Sequence, residues 1–238
     1  ERIEEVIATG RIALNLYRPI EGPEHRVRFK LYHAATPVPL SDVLPMLEHM
    51  GLKVIAENPY HVAPADRSEP VWIHDFVAES QDGAAIDVGR VRASFHEAFS
   101  RVWYGDMEDD GFNRLVLGAG LTWREVTVLR AYGKFLRQAR LSLSQEGLEG
   151  TFSTYPAIAR GIVALFKARF DPALSGDREA AIDGIAGELD RLLDGVANLE
   201  EDRIVRRYLN LVRSTLRTNF FQRDAQGGPT PYLSFKLD

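Results

Sequence analysis

The sequence contains no cysteine and no long apolar run, and these absences exclude several classes of protein. Without cysteine, disulfides, thiolate catalysis and cysteine-based zinc sites are excluded, and a reducing compartment is permitted. No apolar segment approaches the roughly 20 residues that cross a bilayer. The formal charge of −5 argues against a dedicated nucleic-acid binder. We therefore expect a cytoplasmic protein that contacts neither membrane nor nucleic acid.

The composition is that of a folded chain. Hydrophobic residues make up 45% and charged residues 26%, as in ordinary globular domains. The 238 residues suffice for one large domain or two small ones. Near residue 86 the pattern changes from alternation to helical spacing. This predicts an α+β fold with an α/β domain over 1–85, a helical domain over 86–225, and a linker and strand over 226–238.

The first domain contains four segments with strand character. Period-two alternation or β-branched residues mark 11–17, 27–32, 52–57 and 71–78. The first two segments, separated by a turn-rich stretch, predict a hairpin with a long loop. The prolines Pro59, Pro64 and Pro70 predict a loop between the last two segments.

A helix is predicted between the hairpin and the third strand. Its apolar stripe includes Leu40, Leu44 and Leu47, with Ser41 as the N-cap. Pro45 would lie in the first turn, where its missing N–H costs little. Gly51 is placed to end the helix in a left-handed conformation.

The second domain is predicted to be helical throughout. Apolar residues at helical spacing favour helices over 88–102, 122–141, 156–171 and 182–196. Thr122 and Glu125 form a capping box. A last helix begins at the N-cap Asn198 and carries Leu216 on its inward face, so that the helical unit ends near residue 222. The alternating stretch 232–238 has no partner after it, so we expect the natural chain to continue.

Each candidate for chemistry also has a structural interpretation, which is the stronger one. Gly118-Ala119-Gly120 lacks the third glycine of a dinucleotide fingerprint, since position 123 is Trp. The run Glu108-Asp109-Asp110 is typical of a solvated turn. No GxSxG, P-loop or HExxH is present. We therefore predict no catalytic, cofactor-binding or metal-binding residue in this chain.

The histidines and the basic residues of the last helix lead to the same conclusion. None of the six histidines has a metal-ligand spacing, and His74, between Trp72 and Phe76, is predicted to be a half-buried structural residue. The last helix is rich in arginine at positions Arg203, Arg206, Arg207, Arg213 and Arg217. Because its first turn is acidic, we expect a face that contacts another part of a larger protein rather than phosphate.

Several strings resemble the large bacterial NAD-specific glutamate dehydrogenases. They keep one order across residues 40–238 and comprise Leu44 to Glu48, Gly51 to Ile55, Val71 to Phe76, Asp110 to Leu117, Trp123 to Val126, Glu201 to Ile204, Thr215 to Gln222 and Tyr232 to Asp238. The resemblance implies a long polypeptide in which ACT-like modules and helical segments precede the catalytic domain. This chain is similar to the last ACT-like module, part of a βαββαβ antiparallel sheet, followed by the helical segment.

The resemblance also implies an activity for the parent protein, in amino-acid catabolism. The family oxidises L-glutamate with NAD and water to 2-oxoglutarate, ammonium and NADH, using a lysine that follows glycine-rich stretches. None of Lys30, Lys53, Lys134, Lys167 and Lys236 follows a Gly-Gly pair. NAD is thus expected in the parent enzyme and no cofactor in this segment.

Three functions stay open from the sequence. The first is a regulatory and assembly segment of the dehydrogenase, in contact with the rest of the parent chain and with other subunits of a homo-oligomer. The second is an ACT-like module that senses a small amino-acid effector, with Thr36 to Ser41 as the candidate ligand-binding turn. The third is a free-standing scaffold that binds a partner protein.

Overall fold

The computed structural model describes residues 1–63, 69–139, 141 and 143–238. The chain forms two compact units, Glu1–Trp123 and Arg124–Asp238, and each is described by itself. The first unit contains a four-stranded antiparallel sheet, and both units contain helices, which confirms the predicted α+β class. None of the helices among the described residues is both long and apolar enough to cross a membrane.

The first unit is built on a single sheet. Its elements are α1 (Arg2–Thr9), β1 (Ala13–Tyr17), β2 (Arg26–Ala34), α2 (Leu40–His49), β3 (Leu52–Val62), β4 (Val71–Ser80), α3 (Val88–Trp103), a 3-10 turn (Gly111–Asn113) and α4 (Arg114–Gly118). The strands lie in the order β1-β2-β4-β3, and every neighbouring pair is antiparallel. The predicted hairpin is confirmed, since β1 pairs directly with β2.

Alternation along β2 determines which face of the sheet is covered. Val27, Phe29 and Leu31 are fully buried on one face. The Phe29 ring lies 5.5 Å from that of Phe95 and 4.9 Å from that of Phe99, both on α3. Three aromatic rings thus join the central strand to the helix that follows the sheet.

From β2 onward the order β2-α2-β3-β4-α3 matches the first five elements of the βαββαβ order that the resemblance implied, whereas the fourth strand of the sheet, β1, precedes them in the chain. The strand beside β2 is β1, which precedes it in the chain. No strand order could be predicted, because alternation identifies a strand but not its neighbour.

The start of α2 differs from the prediction. Pro39, not Ser41, is the N-cap, and no side chain caps the helix. The Ser41 hydroxyl donates to the Asp42 carboxylate instead. The helix therefore begins at Leu40, and Pro45 lies inside it rather than in its first turn. Gly51, with φ +86°, ends the helix as predicted.

Pro59 was predicted in a loop but lies within β3, which extends to Val62. Because β3 is an edge strand, an N–H that points away from β4 is not needed for sheet pairing, and proline is tolerated there. Pro64 lies outside the described residues, and Pro70 directly precedes β4.

The opposite edge of the sheet is capped by side chains from α3. The Ile12 amide donates to Tyr104 Oη and the Leu16 amide donates to His96 Nε2, both at 2.9 Å. These amides point away from β2 and would otherwise be unpaired. Burial, followed by the positive charges of Arg2 and Arg92, lowers the pKa of His96 to about 4, against the opposing charge of Glu5.

The second unit is mainly helical. It contains α5 (Trp123–Gln138, which begins at the last residue of the first unit), α6 (Gln145–Thr154), α7 (Pro156–Phe170), α8 (Arg178–Leu193), α9 (Leu199–Ser214), β5 (Thr215–Thr218) and β6 (Phe235–Leu237). Helices starting at Trp123 and Pro156, and a last helix capped by Asn198, were predicted. Helix α6 was not predicted, although the Ser144 hydroxyl caps it by accepting from the Gly147 amide.

The last helix is shorter than predicted. It ends at Ser214, and Leu216, expected to face inward, is 50% exposed. The Thr215 hydroxyl donates to the Leu211 carbonyl and therefore accepts from the Tyr132 hydroxyl, at 2.7 Å in both cases. Burial raises the pKa of Tyr132 to about 12.

The expectation that the strand near residue 238 lacks a partner within the chain is also wrong. This strand, β6, pairs antiparallel with β5, where a helix was predicted. The partner lies before it in the sequence, and the intervening loop concealed the pairing.

Helix α8 packs against α7 through a close approach. The buried residues of α8 are Leu189 and Leu193. A Cβ at Gly161 of α7 would lie 2.5 Å from Leu189 Cδ2. Glycine at this position therefore sets the spacing of the two helices.

Gly161→Ala should lower the free energy of unfolding by about 1 kcal/mol, because the methyl group forces Leu189 out of place and overpacking outweighs the gain in helix propensity. Gly184→Ala is the matched control, since its Cβ would meet no atom within 4 Å. That variant should gain about 0.5–1 kcal/mol from helix propensity alone. Urea denaturation measures both, and equal shifts in the same direction would contradict the close approach.

Lowering the pH from about 6.5 towards about 4 should destabilise the first unit through His96. In this window the unfolded chain binds a proton that the folded state excludes, so the stabilisation is complete above 6.5 and is lost as pH falls. After allowance for solvent screening of a half-buried ring, the loss is about 1–2 kcal/mol. His96→Gln keeps an acceptor for the Leu16 amide and does not titrate, so its unfolding free energy should vary less with pH. Equal pH dependence in both proteins would exclude His96 as the cause.

Candidate functional site

The turn predicted to bind a ligand, residues 36–41, is anchored by His74. This residue is 4% exposed, more buried than predicted. Its Nε2 accepts the Val38 amide at 3.1 Å, and its Nδ1 lies 2.9 Å from Glu57 Oε1. Because Nε2 accepts, Nδ1 carries the proton and donates to the Glu57 carboxylate. Both ring nitrogens are engaged by the protein, which is the structural role that the sequence favoured.

Other backbone groups at this turn are also engaged within the protein. Ala35, with φ +68°, donates to the Pro70 carbonyl. The Thr36 amide donates to the Ala34 carbonyl, and Trp72 Nε1 donates to the Ala35 carbonyl. An effector at this turn would compete with these bonds, and the assignment of the turn stays a prediction.

The remaining histidines are dispersed over the first unit. His49 Nδ1 lies 2.9 Å from Asp109 Oδ1, His33 bonds the Thr36 carbonyl, and the His61 ring packs against Trp72. His25 lies 3.9 Å from the Glu79 carboxylate. Among the described residues, no group of three potential ligands is arranged to hold a metal ion.

The acidic run is not a uniformly solvated turn. Asp110 is 8% exposed and accepts the Phe112 amide at 3.1 Å, which starts the 3-10 turn. Glu108 and Asp109 are exposed as predicted. Sequence alone cannot separate a capping aspartate from its solvated neighbours.

Gly118-Ala119-Gly120 forms the predicted helix-to-helix turn. Helix α4 ends at Gly118 and α5 begins at Trp123. Gly120 has φ +65°, and a Cβ there would lie 2.8 Å from Arg90 Nη2. The positive φ favours glycine at this position, whereas the end of the flexible Arg90 side chain could move aside at little cost.

The face of the sheet opposite Phe29 carries a network of charges. Asp75 is 2% exposed and accepts two hydrogen bonds from Arg28, at 3.1 and 2.7 Å. Lys30 Nζ lies 3.5 Å from the same carboxylate. Burial lowers the pKa of both basic groups, but the hydrogen bond and charge of Asp75 outweigh it and raise the pKa of Arg28 and of Lys30. Lys30 is therefore an ion-paired structural lysine.

The other lysines show no clustering around a site. Lys167 Nζ bonds Glu125 Oε1 at 2.9 Å. Lys53, Lys134 and Lys236 are exposed.

In the second unit, polar side chains close the loop between β5 and β6. Asn219, 6% exposed, donates to the Tyr232 carbonyl at 3.0 Å and accepts the Ser234 amide at 2.8 Å. Arg124, at the start of α5, donates to the Thr230 carbonyl at 3.0 Å and to the Tyr232 carbonyl at 3.4 Å. Burial, followed by the charge of Arg223, lowers the pKa of Arg124. These groups bind backbone, so they fix the loop.

The arginines of α9 mostly lie on its outer surface. Arg206 pairs with Asp202 of the preceding turn at 2.9 Å. Arg203 and Arg213 are exposed and Arg207 is half-buried, and among the described residues no carboxylate lies within 4 Å of these three. Their charges remain available at the surface.

Three family models match the chain in sequence order. The glutamate dehydrogenase ACT3 domain matches residues 11–91, glutamate dehydrogenase helical motif 3 matches residues 107–172, and the catalytic domain of bacterial NAD-glutamate dehydrogenase matches residues 188–238. The ACT3 match begins after helix α1 and includes strand β1.

Three similar proteins carry the name NAD-specific glutamate dehydrogenase. The protein of Halomonas elongata is 44% identical over 238 residues, covering 100% of this chain and 15% of the relative. That of Pseudomonas aeruginosa is 41% identical over 230 residues, with 95% of this chain and 14% of the relative covered. That of Mycobacterium tuberculosis is 41% identical over 210 residues, with 84% and 13% covered.

The chain thus spans about 15% of the length of the first of these relatives. The family named by the sequence strings is the one that all three models and all three relatives name. The chain belongs, as a segment with an ACT-type domain, a helical motif and the beginning of the catalytic-domain match, to the bacterial NAD-specific glutamate dehydrogenases.

Proposed function

We propose that this chain is a non-catalytic regulatory and assembly segment of an NAD-dependent glutamate dehydrogenase. The parent enzyme would convert L-glutamate, NAD and water to 2-oxoglutarate, ammonium and NADH in the cytoplasm. The observation that carries the proposal is the ordered series of three matches, two of which name parts of the dehydrogenase other than its catalytic domain.

The buried polar side chains support a non-catalytic role, because their hydrogen-bonding groups are occupied by other groups of the protein. His74, Asp75, Asp110 and Asn219 are buried, and each bonds to protein groups that fix a turn, a strand register or a loop. A catalytic group needs a free donor or acceptor directed at a substrate. These four residues are better explained as structural.

We propose a separate role for each of the three segments predicted from the sequence. Residues 1–85 would form the regulatory ACT-like part, residues 86–225 the helical connection, and residues 226–238 the passage towards the catalytic chemistry of the parent. The partners would be the rest of the parent chain and other subunits of a homo-oligomer.

The surface of α9 supports an assembly role. Arg203 and Arg207 are one helical turn apart and so project from the same side of the helix. Arginine is enriched at protein interfaces, where its guanidinium pairs with carboxylates and carbonyls. An acidic or carbonyl-rich surface of the parent protein would fit this side.

The purified chain should neither bind NAD nor reduce it in the presence of L-glutamate. Fluorescence titration with NAD and absorbance of NADH measure the two properties, and the full-length parent enzyme serves as the positive control. Saturable NAD binding, or glutamate-dependent NADH formation by the chain alone, would contradict a non-catalytic role.

Reversing both charges, Arg203→Glu with Arg207→Glu, should weaken assembly of the full-length parent by about tenfold, because a like-charged contact replaces an attractive one. Analytical ultracentrifugation measures the dissociation constant. Arg160→Glu is the matched control, since Arg160 is an exposed arginine on α7 rather than α9. If the double variant and the control assemble equally well, α9 is not an assembly surface.

A further inference from the structure

A groove of the first unit lies beside the edge strand β1. Its volume is about 400 Å³, within the range of pockets that hold small molecules. The lining residues come from the segment between α1 and β1, from α3 and from the turn after α3: Arg11, His96, Glu97, Ser100, Arg101, Tyr104 and Asp106. Nothing in the family matches assigns a role to these side chains.

One wall of the groove is formed by side chains spaced four residues apart on α3 and its C-cap, namely His96, Ser100 and Tyr104. Of these, His96 accepts the Leu16 amide through Nε2, so the neutral ring carries its proton on Nδ1. In the part of the chain that the structure describes, neither His96 Nδ1 nor the Ser100 hydroxyl has a hydrogen-bond partner. This wall therefore offers two donors that face no protein acceptor.

Arg11 adds a positive charge that is held in position. Its guanidinium stacks on the Tyr104 ring, 4.0 Å from the centroid, and Tyr104 Oη is fixed by the Ile12 amide. Among the described residues no carboxylate lies within 4 Å of the Arg11 guanidinium. Stacking restricts the side chain while leaving its N–H groups available.

The two acidic residues of the groove share one cation, Arg101. Arg101 lies 3.2 Å from Asp106 and 3.9 Å from Glu97, and it also stacks on the Trp123 ring. Glu97 accepts Trp123 Nε1 at 2.7 Å. The lining thus carries two carboxylates and two guanidinium groups, and among the described residues no carboxylate lies within 4 Å of the Arg11 guanidinium.

We infer that this groove binds the carboxylate group of a small molecule. Arg11 would form the charge-assisted hydrogen bonds, and the Ser100 hydroxyl and His96 Nδ1 would donate to the same group. A guanidinium with two further donors matches the acceptors of a carboxylate, and the pairs Arg101–Asp106 and Arg101–Glu97 complete the lining. Both a simple carboxylic acid and an amino acid carry the required group.

The test is an NMR titration of the 238-residue chain, followed through the backbone amides of β1 and α3 and the ring signals of His96. The probes are acetate, glycine, methylamine and chloride, each as the sodium or hydrochloride salt at matched ionic strength. We expect saturable shifts with acetate and glycine, confined to the groove, and none with methylamine or chloride. Tighter binding of glycine than of acetate would identify an amino acid as the source of the carboxylate.

Two variants test the assignment of Arg11. Arg11→Gln should raise the dissociation constant for acetate about tenfold or more, because a charge-assisted bond is replaced by a neutral one. Lys53→Gln removes one positive charge from the exposed surface of β3 and should leave binding unchanged. Ser100→Ala, which keeps the stacking of Arg11 on Tyr104, should weaken binding to a smaller extent and guards against a loss of fold in the first variant.

Three results would overturn the inference. The first is the absence of saturable shifts with acetate and glycine up to about 50 mM, a range that covers weak binding. The second is an equal response to chloride, which would indicate a general ionic effect. The third is unchanged acetate binding in Arg11→Gln.

Discussion

The pairing of β2 with β4 is the constraint on which the rest of the first unit depends. It joins the two central strands from Arg26↔Glu79 to Ala34↔Val71. This register places apolar side chains on one face of the sheet and charged side chains on the other. On one face Phe29 is opposite Phe76, and on the other Lys30 is opposite Asp75. A slip by one residue would move Asp75 into the apolar core, where an unpaired carboxylate costs several kcal/mol. Apolar burial and a buried ion pair therefore specify the same register.

The two edges of this sheet are protected in different ways. At β1, His96 of α3 and Tyr104 directly after α3 accept the outward amides of Leu16 and Ile12, so this edge cannot add a strand without losing those bonds. At β3, Pro59 and a register shift between Val54 and Ala56 interrupt the edge instead. The capping at β1 also brings His96, Ser100 and Tyr104 into one row, which forms a wall of the groove. Edge protection and the candidate carboxylate site thus share the same side chains.

Local pattern predicted much of the fold, and distant partners account for the failures. Alternation identified all four strands of the sheet, and Gly51 and Asn198 correctly marked helix ends. Pro59 was placed in a loop because edge position, which tolerates proline, is set by the sheet and not by nearby residues. The groove could not be predicted at all, since Arg11 and the side chains of α3 are separated by some 85 residues or more in sequence and meet only when α3 packs along β1.

The second unit shows why family boundaries need not be folding boundaries. Tyr132, within the helical-motif match, donates to Thr215, within the catalytic-domain match. Arg124 of the helical motif likewise binds the Tyr232 carbonyl, to which Asn219 also donates. Removing residues from 188 onward would leave a buried tyrosine hydroxyl without its acceptor, at a cost of about 1–3 kcal/mol. These bonds hold α5 to β5 and to the loop between β5 and β6, so residues of the helical-motif match and of the catalytic-domain match pack into one compact unit.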